Sequence, residues 1–198
     1  MIKSYQTAQI LAQKLLDEAR ENEPQITADL GKIALEISAE IIGLENKFKR
    51  EESLIRKLVG MAQTDSAEIA QIVEKFNDAL RYTFILPFEI YMKGFRQTRE
   101  KLKDKGYKIP ENKIWNAWKN IETKFDRGYR GINMTIISSR KQKFELQFHT
   151  AESFDFKMEN HHFYEESRSS EISRERKQEI AENLVKAAEK IAVPEGAR

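Results

Sequence analysis

The stretch "FELQFHT", residues 144–150, alternates apolar and polar side chains without a break: Phe144, Glu145, Leu146, Gln147, Phe148, His149, Thr150. A period of two is the signature of a strand. It puts Phe144, Leu146 and Phe148 on one face and Glu145, Gln147 and His149 on the other. A half-exposed edge strand gives the same pattern. The stretch is apolar enough to sit centrally, however, and a central strand needs a reason to carry a carboxylate, an amide and an imidazole on one face. Just upstream, "GYRGINMTIIS" (128–138) reads as a Gly-punctuated loop running into a strand. The turn "RKQK" (140–143) brings the chain back, so two neighbouring strands are predicted.

Further out, "LRYTFIL" (80–86) is another strand, with Asp78 at its entrance and Pro87 at its end. "IIGLENKFKR" (41–50) reads as a strand from Ile41 to Lys49. Helical spacing places Ile10, Leu11, Leu15 and Leu16 on a first helix over residues 3 to about 21. "EPQIT" (23–27) breaks it, and Thr27 caps a second helix through "ADLGKIALEISAEI". More helices are predicted over "EESLIRKLVGMAQ" (51–63), "SAEIAQIVEKFN" (66–77) and from Pro87 to about Lys105, where Gly106 stops the last. "IWNAWKN" (114–120) is open between a strand and a turn-rich loop. Two helices close the chain, about 151–168 and 171–191. Helices alternating with strands give an α/β or α+β class, a mixed β-sheet flanked by helices.

The chain has 198 residues, 40% hydrophobic and 33% charged, enough for one core under a charged surface. Lys plus Arg number 34 and Asp plus Glu 32, a net charge of +2, so any basic site must be local. There is no cysteine, which excludes disulfides and thiolate metal sites and fits a reducing compartment or a chain that unfolds and refolds during delivery. No apolar run approaches the roughly 20 residues of a membrane span, so no membrane partner is expected. The N-terminus reads as an amphipathic helix, not a signal sequence.

Three places carry candidate chemistry. "KFKREESLIRK" (47–57) holds Lys47, Lys49, Arg50, Ser53 and Lys57 around a helix start, where backbone amides and cations suit a polyphosphate. Taken alone it reads first as a solvated basic helix end. "NDALRYTFIL" offers Asp78 and Arg81. The polar face of 144–150 offers Glu145, Gln147 and His149. Lys157, His161, Tyr164 and Arg168 follow at i, i+4, i+7 and i+11, one stripe of a single helix. Two carboxylates, Asp78 and Glu145, among many cations suit Mg²⁺ and nucleotide phosphates. No Walker A, GxGxxG, HRD or GxSxG motif is present. The adjacent pair His161–His162 points about 100° apart on a helix, a poor metal pair.

In this order, "KFKREESLIRK", "DALRYT", "GYRGIN", "FELQFHT" and "NHHFYEESR" resemble the motifs of the RelA/SpoT synthetase family, over about residues 40–170. The resemblance implies a nucleotidyltransferase-like fold, with residues 41–198 as the synthetase domain and residues 1–40 as a helical segment packed on it. It implies a Mg²⁺-dependent pyrophosphokinase that moves the β,γ-pyrophosphate of ATP to the 3′-hydroxyl of a purine nucleotide. Lys47, Lys49, Arg50, Ser53, Lys57 and Arg81 would hold ATP; Asp78 and Glu145 would hold Mg²⁺, with Glu145 as general base. Tyr129 would stack on the acceptor base, with Asn133, Gln147, His149, Lys157, His161 and Arg168 lining the acceptor side. Lys47 stands where many members have Arg, Asn133 where long members have His, and His149 where many have Arg. No hydrolase or regulatory domain is recognisable, so no degradation activity is expected. The pattern is most similar to the toxin-like small alarmone synthetases: a growth inhibitor acting in the cytoplasm, delivered as the end of a secreted or phage-borne toxin and countered by an immunity or antitoxin protein. The alternatives are pyrophosphorylation of the tRNA 3′ end and a catalytically silent nucleotide- or RNA-binding module. For tRNA, Lys101, Lys103 and Lys105 are the one stretch suited to track a backbone, interrupted by Glu100 and Asp104.

Overall fold

The computed structural model describes residues 2–64, 76–119, 128–169 and 171–198. Of the helix predicted over 66–77, residues 66–75 lie outside the described residues. The order is α1 (Ile2–Glu36), β1 (Glu40–Ile42), α2 (Glu51–Thr64), β2 (Arg81–Ile85), α3 (Tyr91–Asp104), β3 (Ile114–Asn116), β4 (Ile132–Ile137), β5 (Lys143–His149), α4 (Ala151–Glu159), α5 (His161–Arg168) and α6 (Arg174–Ala188). The class is α+β, as the alternation of patterns indicated.

The five strands form one mixed sheet, ordered β1-β2-β5-β4-β3. The strand of "FELQFHT" is central. It runs parallel to β2 and antiparallel to β4. Register puts Tyr82 beside Leu146 beside Met134, and Phe84 beside Phe148 beside Ile132, all buried. These form the core face, covered by α1 and α3. Phe95 of α3 meets Phe148 edge-on with centroids 5.1 Å apart, and Thr27 Oγ1 of α1 lies 2.8 Å from the Tyr82 hydroxyl. The opposite face carries Arg81, Thr83, Glu145, Gln147, Asn133 and Thr135.

The predicted break at 23–27 is not there: α1 is one helix with Pro24 inside it. Buried Ala12, Leu16, Ala19, Ile26, Leu30 and Ile33 continue one stripe across the proline. Pro24 is exposed, so its missing N–H costs one hydrogen bond on the solvent side while packing on the sheet holds both halves in line. Thr27 is no cap; its hydroxyl donates to the Glu23 carboxylate. The strand predicted from Ile41 to Lys49 is also shorter. Gly43 adopts φ 67° and a 3-10 turn follows at Leu44–Asn46, so only Glu40–Ile42 pairs as a strand. The chain rejoins the sheet briefly, with Arg81 N–H donating to Lys47 O and Lys49 N–H to Ala79 O. The helix predicted over 151–168 breaks at Asn160, whose side-chain amide donates to the Phe156 carbonyl and competes with helix continuation.

Candidate active site

Pairing of β2 with β5 places Arg81 opposite Glu145 and Thr83 opposite Gln147. Pairing of β4 with β5 adds Thr135 opposite Glu145 and Asn133 opposite Gln147. One face of the sheet thus carries a polar row where a half-buried antiparallel strand would ordinarily face water.

Asp78 stands at the entrance to β2 and is 9% exposed. Both oxygens are engaged: Lys49 Nζ donates to Oδ2, and Lys57 Nζ to Oδ1 at 2.9 Å. Burial opposes its ionisation, but Lys57 and Lys49 outweigh that and hold the carboxyl below the usual aspartate range. Lys49 is itself pulled down, because its burial, with Lys57 and Arg81 nearby, exceeds the gain from Asp78. Glu145 behaves oppositely. Burial first, and the Asp78 charge second, push its carboxyl up, against Arg81, Gln147 and Lys157. The two carboxylates therefore interact, Asp78 ionising more readily than an ordinary aspartate and Glu145 less readily than an ordinary glutamate.

Asn133 bridges Glu145 to the loop before β4. Its Nδ2 donates to Glu145 Oε1 at 3.1 Å, and its Oδ1 accepts from the Tyr129 hydroxyl. Tyr129 also lies 2.8 Å from His149 Nε2. Burial and the Glu145 charge keep the Tyr129 phenol protonated, well above its ordinary range. His149 is fully buried, with Nδ1 3.1 Å from Ser153 Oγ. Burial and Lys157 hold it well below its ordinary value, so it is neutral and brings no charge to phosphates. Ser153 serves a second purpose: with Thr150 it forms the capping box that starts α4 directly after β5. That short junction aims Lys157 back over the strand, where its Nζ donates to Gln147 Oε1 at 2.7 Å. Gly131 is needed beneath His149, since a Cβ there would lie 2.7 Å from the Phe148 carbonyl oxygen and 3.1 Å from the imidazole.

The sequence-predicted residues divide accordingly. Asp78, Lys49, Lys57, Arg81, Glu145, Gln147, Asn133, Tyr129, His149 and Lys157 form one connected cluster. Lys47 is tied to α1 through Glu23, at 3.1 Å. Arg50 is exposed, and the Ser53 amide is already spent on the Arg50 carbonyl. The helix start therefore offers fewer amides to a phosphate than expected. The single stripe from Lys157 to Arg168 does not exist, because Asn160 separates α4 from α5. His161 and Tyr164 are exposed on α5, their rings 6.3 Å apart; the Arg168 side chain lies outside the described residues. One residue escaped the sequence reading. Trp115 of β3 stacks on Tyr129 with centroids 5.2 Å apart and planes 21° off parallel. Only the pairing of "IWN" with β4 reveals it.

Among the described residues no group of three or more acidic, His or Cys side chains is arranged to hold a metal, and no helix is long and apolar enough to cross a membrane. The donor set nonetheless suits a hard cation shared with phosphates. Asp78 and Glu145 supply oxygens only, and their mutual repulsion is what a dication relieves.

No protein-family model matches the sequence, and no curated protein does. Solved structures do match. A chain of the complex between the Type VI effector Tas1 and its immunity protein is similar at TM-score 0.56 and 17% identity, over 90% of this chain and 96% of that one. Small alarmone synthetase 1 from Bacillus subtilis, bound to its product pppGpp, is similar at TM-score 0.60 and 14% identity, over 89% and 90%. Small alarmone synthetase 2 from the same organism gives the same values. The chain has the fold of the small alarmone synthetases over nearly its whole length.

Proposed function

We propose that this fold carries a pyrophosphokinase: the 3′-hydroxyl of a purine nucleotide attacks the β-phosphorus of ATP, the bond from that phosphorus to the α,β-bridging oxygen breaks, and AMP leaves. The observation that carries the reading is the pairing of β2 with β5. It sets Asp78 and Glu145 close enough to perturb each other, amid Lys49, Lys57, Arg81 and Lys157. Glu145 takes the acceptor's hydroxyl proton, a task its raised pKa favours. Lys49, Lys57 and Arg81 hold the donor phosphates, and Lys157 neutralises charge on the acceptor side. Asp78 and Glu145, with phosphate oxygens, would hold a Mg²⁺ ion that offsets charge on the transferred group. The likeness to synthetases and to the Tas1 complex supports this chemistry and a growth-inhibiting role countered by an immunity protein.

Charge placement favours a nucleotide acceptor over tRNA. Lys101 pairs with Glu36, Lys103 lies 3.8 Å from Glu111, and Lys105 lies 3.1 Å from Asp29. Each lysine of that run thus already has a carboxylate neighbour to compete with a tRNA phosphate, and tRNA binding needs several phosphate contacts at once. The test incubates the protein with labelled ATP and ADP, GDP or deacylated tRNA side by side. Label on ADP or GDP supports the reading. Label on the tRNA 3′ end alone makes the chain a tRNA-modifying enzyme, and transfer to none of them refutes the kinase.

A further inference from the structure

Tyr129 is not an open stacking surface. Its hydroxyl is engaged by Asn133 and His149, one ring face is covered by the Trp115 indole, and Lys157 Nζ lies 6.0 Å from its ring centroid. Trp115 itself is 40% exposed. It sits on β3, the edge strand, opposite Asn133. A single row therefore crosses the sheet: Thr83, Gln147, Asn133, Trp115. With strands about 4.8 Å apart, the indole stands roughly 10 Å from the strand of Gln147, on the same face as Glu145. Of the two tryptophans it alone is exposed, and the stacked Tyr129 ring holds it in place. Asn116, the next residue, anchors the strand by donating to the Ala197 carbonyl at 2.8 Å and accepting from the Trp118 amide at 3.0 Å.

We propose that Trp115 is the platform on which the acceptor's base stacks, with Tyr129 as the prop that holds the indole flat. This rests on the nucleotide-acceptor reading above and changes which side chain meets the base. Stacking uses the π-face, which every base has, so the platform sets affinity without choosing adenine over guanine.

The protein has two tryptophans, and the other, Trp118, is fully buried with its Nε1–H donating to the Tyr91 hydroxyl. Nucleotide-dependent quenching of tryptophan emission therefore reports on Trp115. Quenching by ADP or GDP in the wild type, absent with inorganic pyrophosphate and lost in Trp115→Phe, is the expected result, whether or not transfer is detected. No quenching up to about 1 mM, the upper end of ordinary Michaelis constants, or equal quenching in Trp115→Phe, overturns the platform. In the kinetic arm, Trp115→Ala should raise the acceptor KM about tenfold, leave the ATP KM within about twofold, and be rescued by Trp115→Phe. An unchanged acceptor KM in an active Trp115→Ala enzyme overturns the platform and leaves the pyrophosphokinase standing. Quenching without transfer to any acceptor overturns the kinase and leaves the platform.

Discussion

Lys157 reaches from the last turn of α4 to donate to Gln147 Oε1, 2.7 Å away, on the strand that carries Glu145. Burial pulls its ammonium down from 10.5 to about 8, with Glu145 opposing the shift and Arg81 adding to it. Acceptor kcat/KM should therefore fall above about pH 8, by about tenfold per unit as one proton is lost. Its acid limb should lie above the ordinary glutamate range, because Glu145 must be ionised. Lys157→Arg should move the alkaline limb to higher pH. The stability effect has a definite sign. The folded pKa lies below the unfolded one, so the cost of the buried cation is full below about 8 and is relieved as pH rises toward 10.5. Across that window the wild type should gain stability relative to Lys157→Met, read by urea unfolding at several pH values.

Glu145→Gln separates chemistry from folding. Loss of the proton acceptor should cost at least about 10³-fold in turnover, within the range expected of a general base and charge-stabilising group together. The same change removes a buried charge that burial and Asp78 both disfavour, while the Gln oxygen still accepts from Asn133. The variant should be at least as stable as the wild type at pH 7. A stability loss with activity retained would mark Glu145 as a structural residue.

Asp78→Asn should do the reverse to stability. Lys49 and Lys57 lose their shared counter-charge, and breaking such a buried pair costs about 3 kcal/mol at the low end. The low end applies because the Lys57 side chain is 34% exposed. The folded pKa of Asp78 is lowered, so its contribution is present above the unfolded value of about 3.9 and is lost as pH falls below it. Denaturant titrations at pH 7 and pH 3 should show the gap between wild type and Asp78→Asn shrinking in acid. Turnover should be lost as well.

Gly131→Ala should be damaging although alanine is ordinarily tolerated. The added Cβ meets the Phe148 carbonyl at 2.7 Å and the His149 ring at 3.1 Å. Backbone cannot yield cheaply, so the expected cost is about 1–3 kcal/mol, or a few degrees per kcal/mol in thermal unfolding. Displacement of His149 should also loosen Tyr129 and raise the acceptor KM.

The parts legible in the sequence were those whose pattern is local. Alternation alone placed Glu145, Gln147 and His149 on one face of a central strand, and "LRYTFIL" gave β2 with Asp78 at its mouth. The misread parts depend on contacts distant in sequence. Pro24 looks like a helix end until Ile26, Leu30 and Ile33 are seen continuing the stripe of Ala12 and Leu16 onto the sheet. Asn160 splits the last motif by a side-chain bond to Phe156 that helical spacing does not report. Trp115 was invisible because three residues of "IWN" become a strand only by pairing with β4, and only that pairing brings the indole onto Tyr129. The electrostatic division between Asp78 and Glu145 was equally hidden. Lys49 and Lys57 both choose Asp78, and nothing in the spacing shows it.

Which phosphates move decides the reaction. ATP labelled separately at the β- and γ-phosphates, with ADP or GDP as acceptor, tests it most directly. Both labels should arrive together on the acceptor in equal amount, with one AMP released per transfer, and Glu145→Gln should show neither. Transfer of the γ-label alone, incorporation of the nucleoside monophosphate with release of pyrophosphate, or full activity in Glu145→Gln would contradict it.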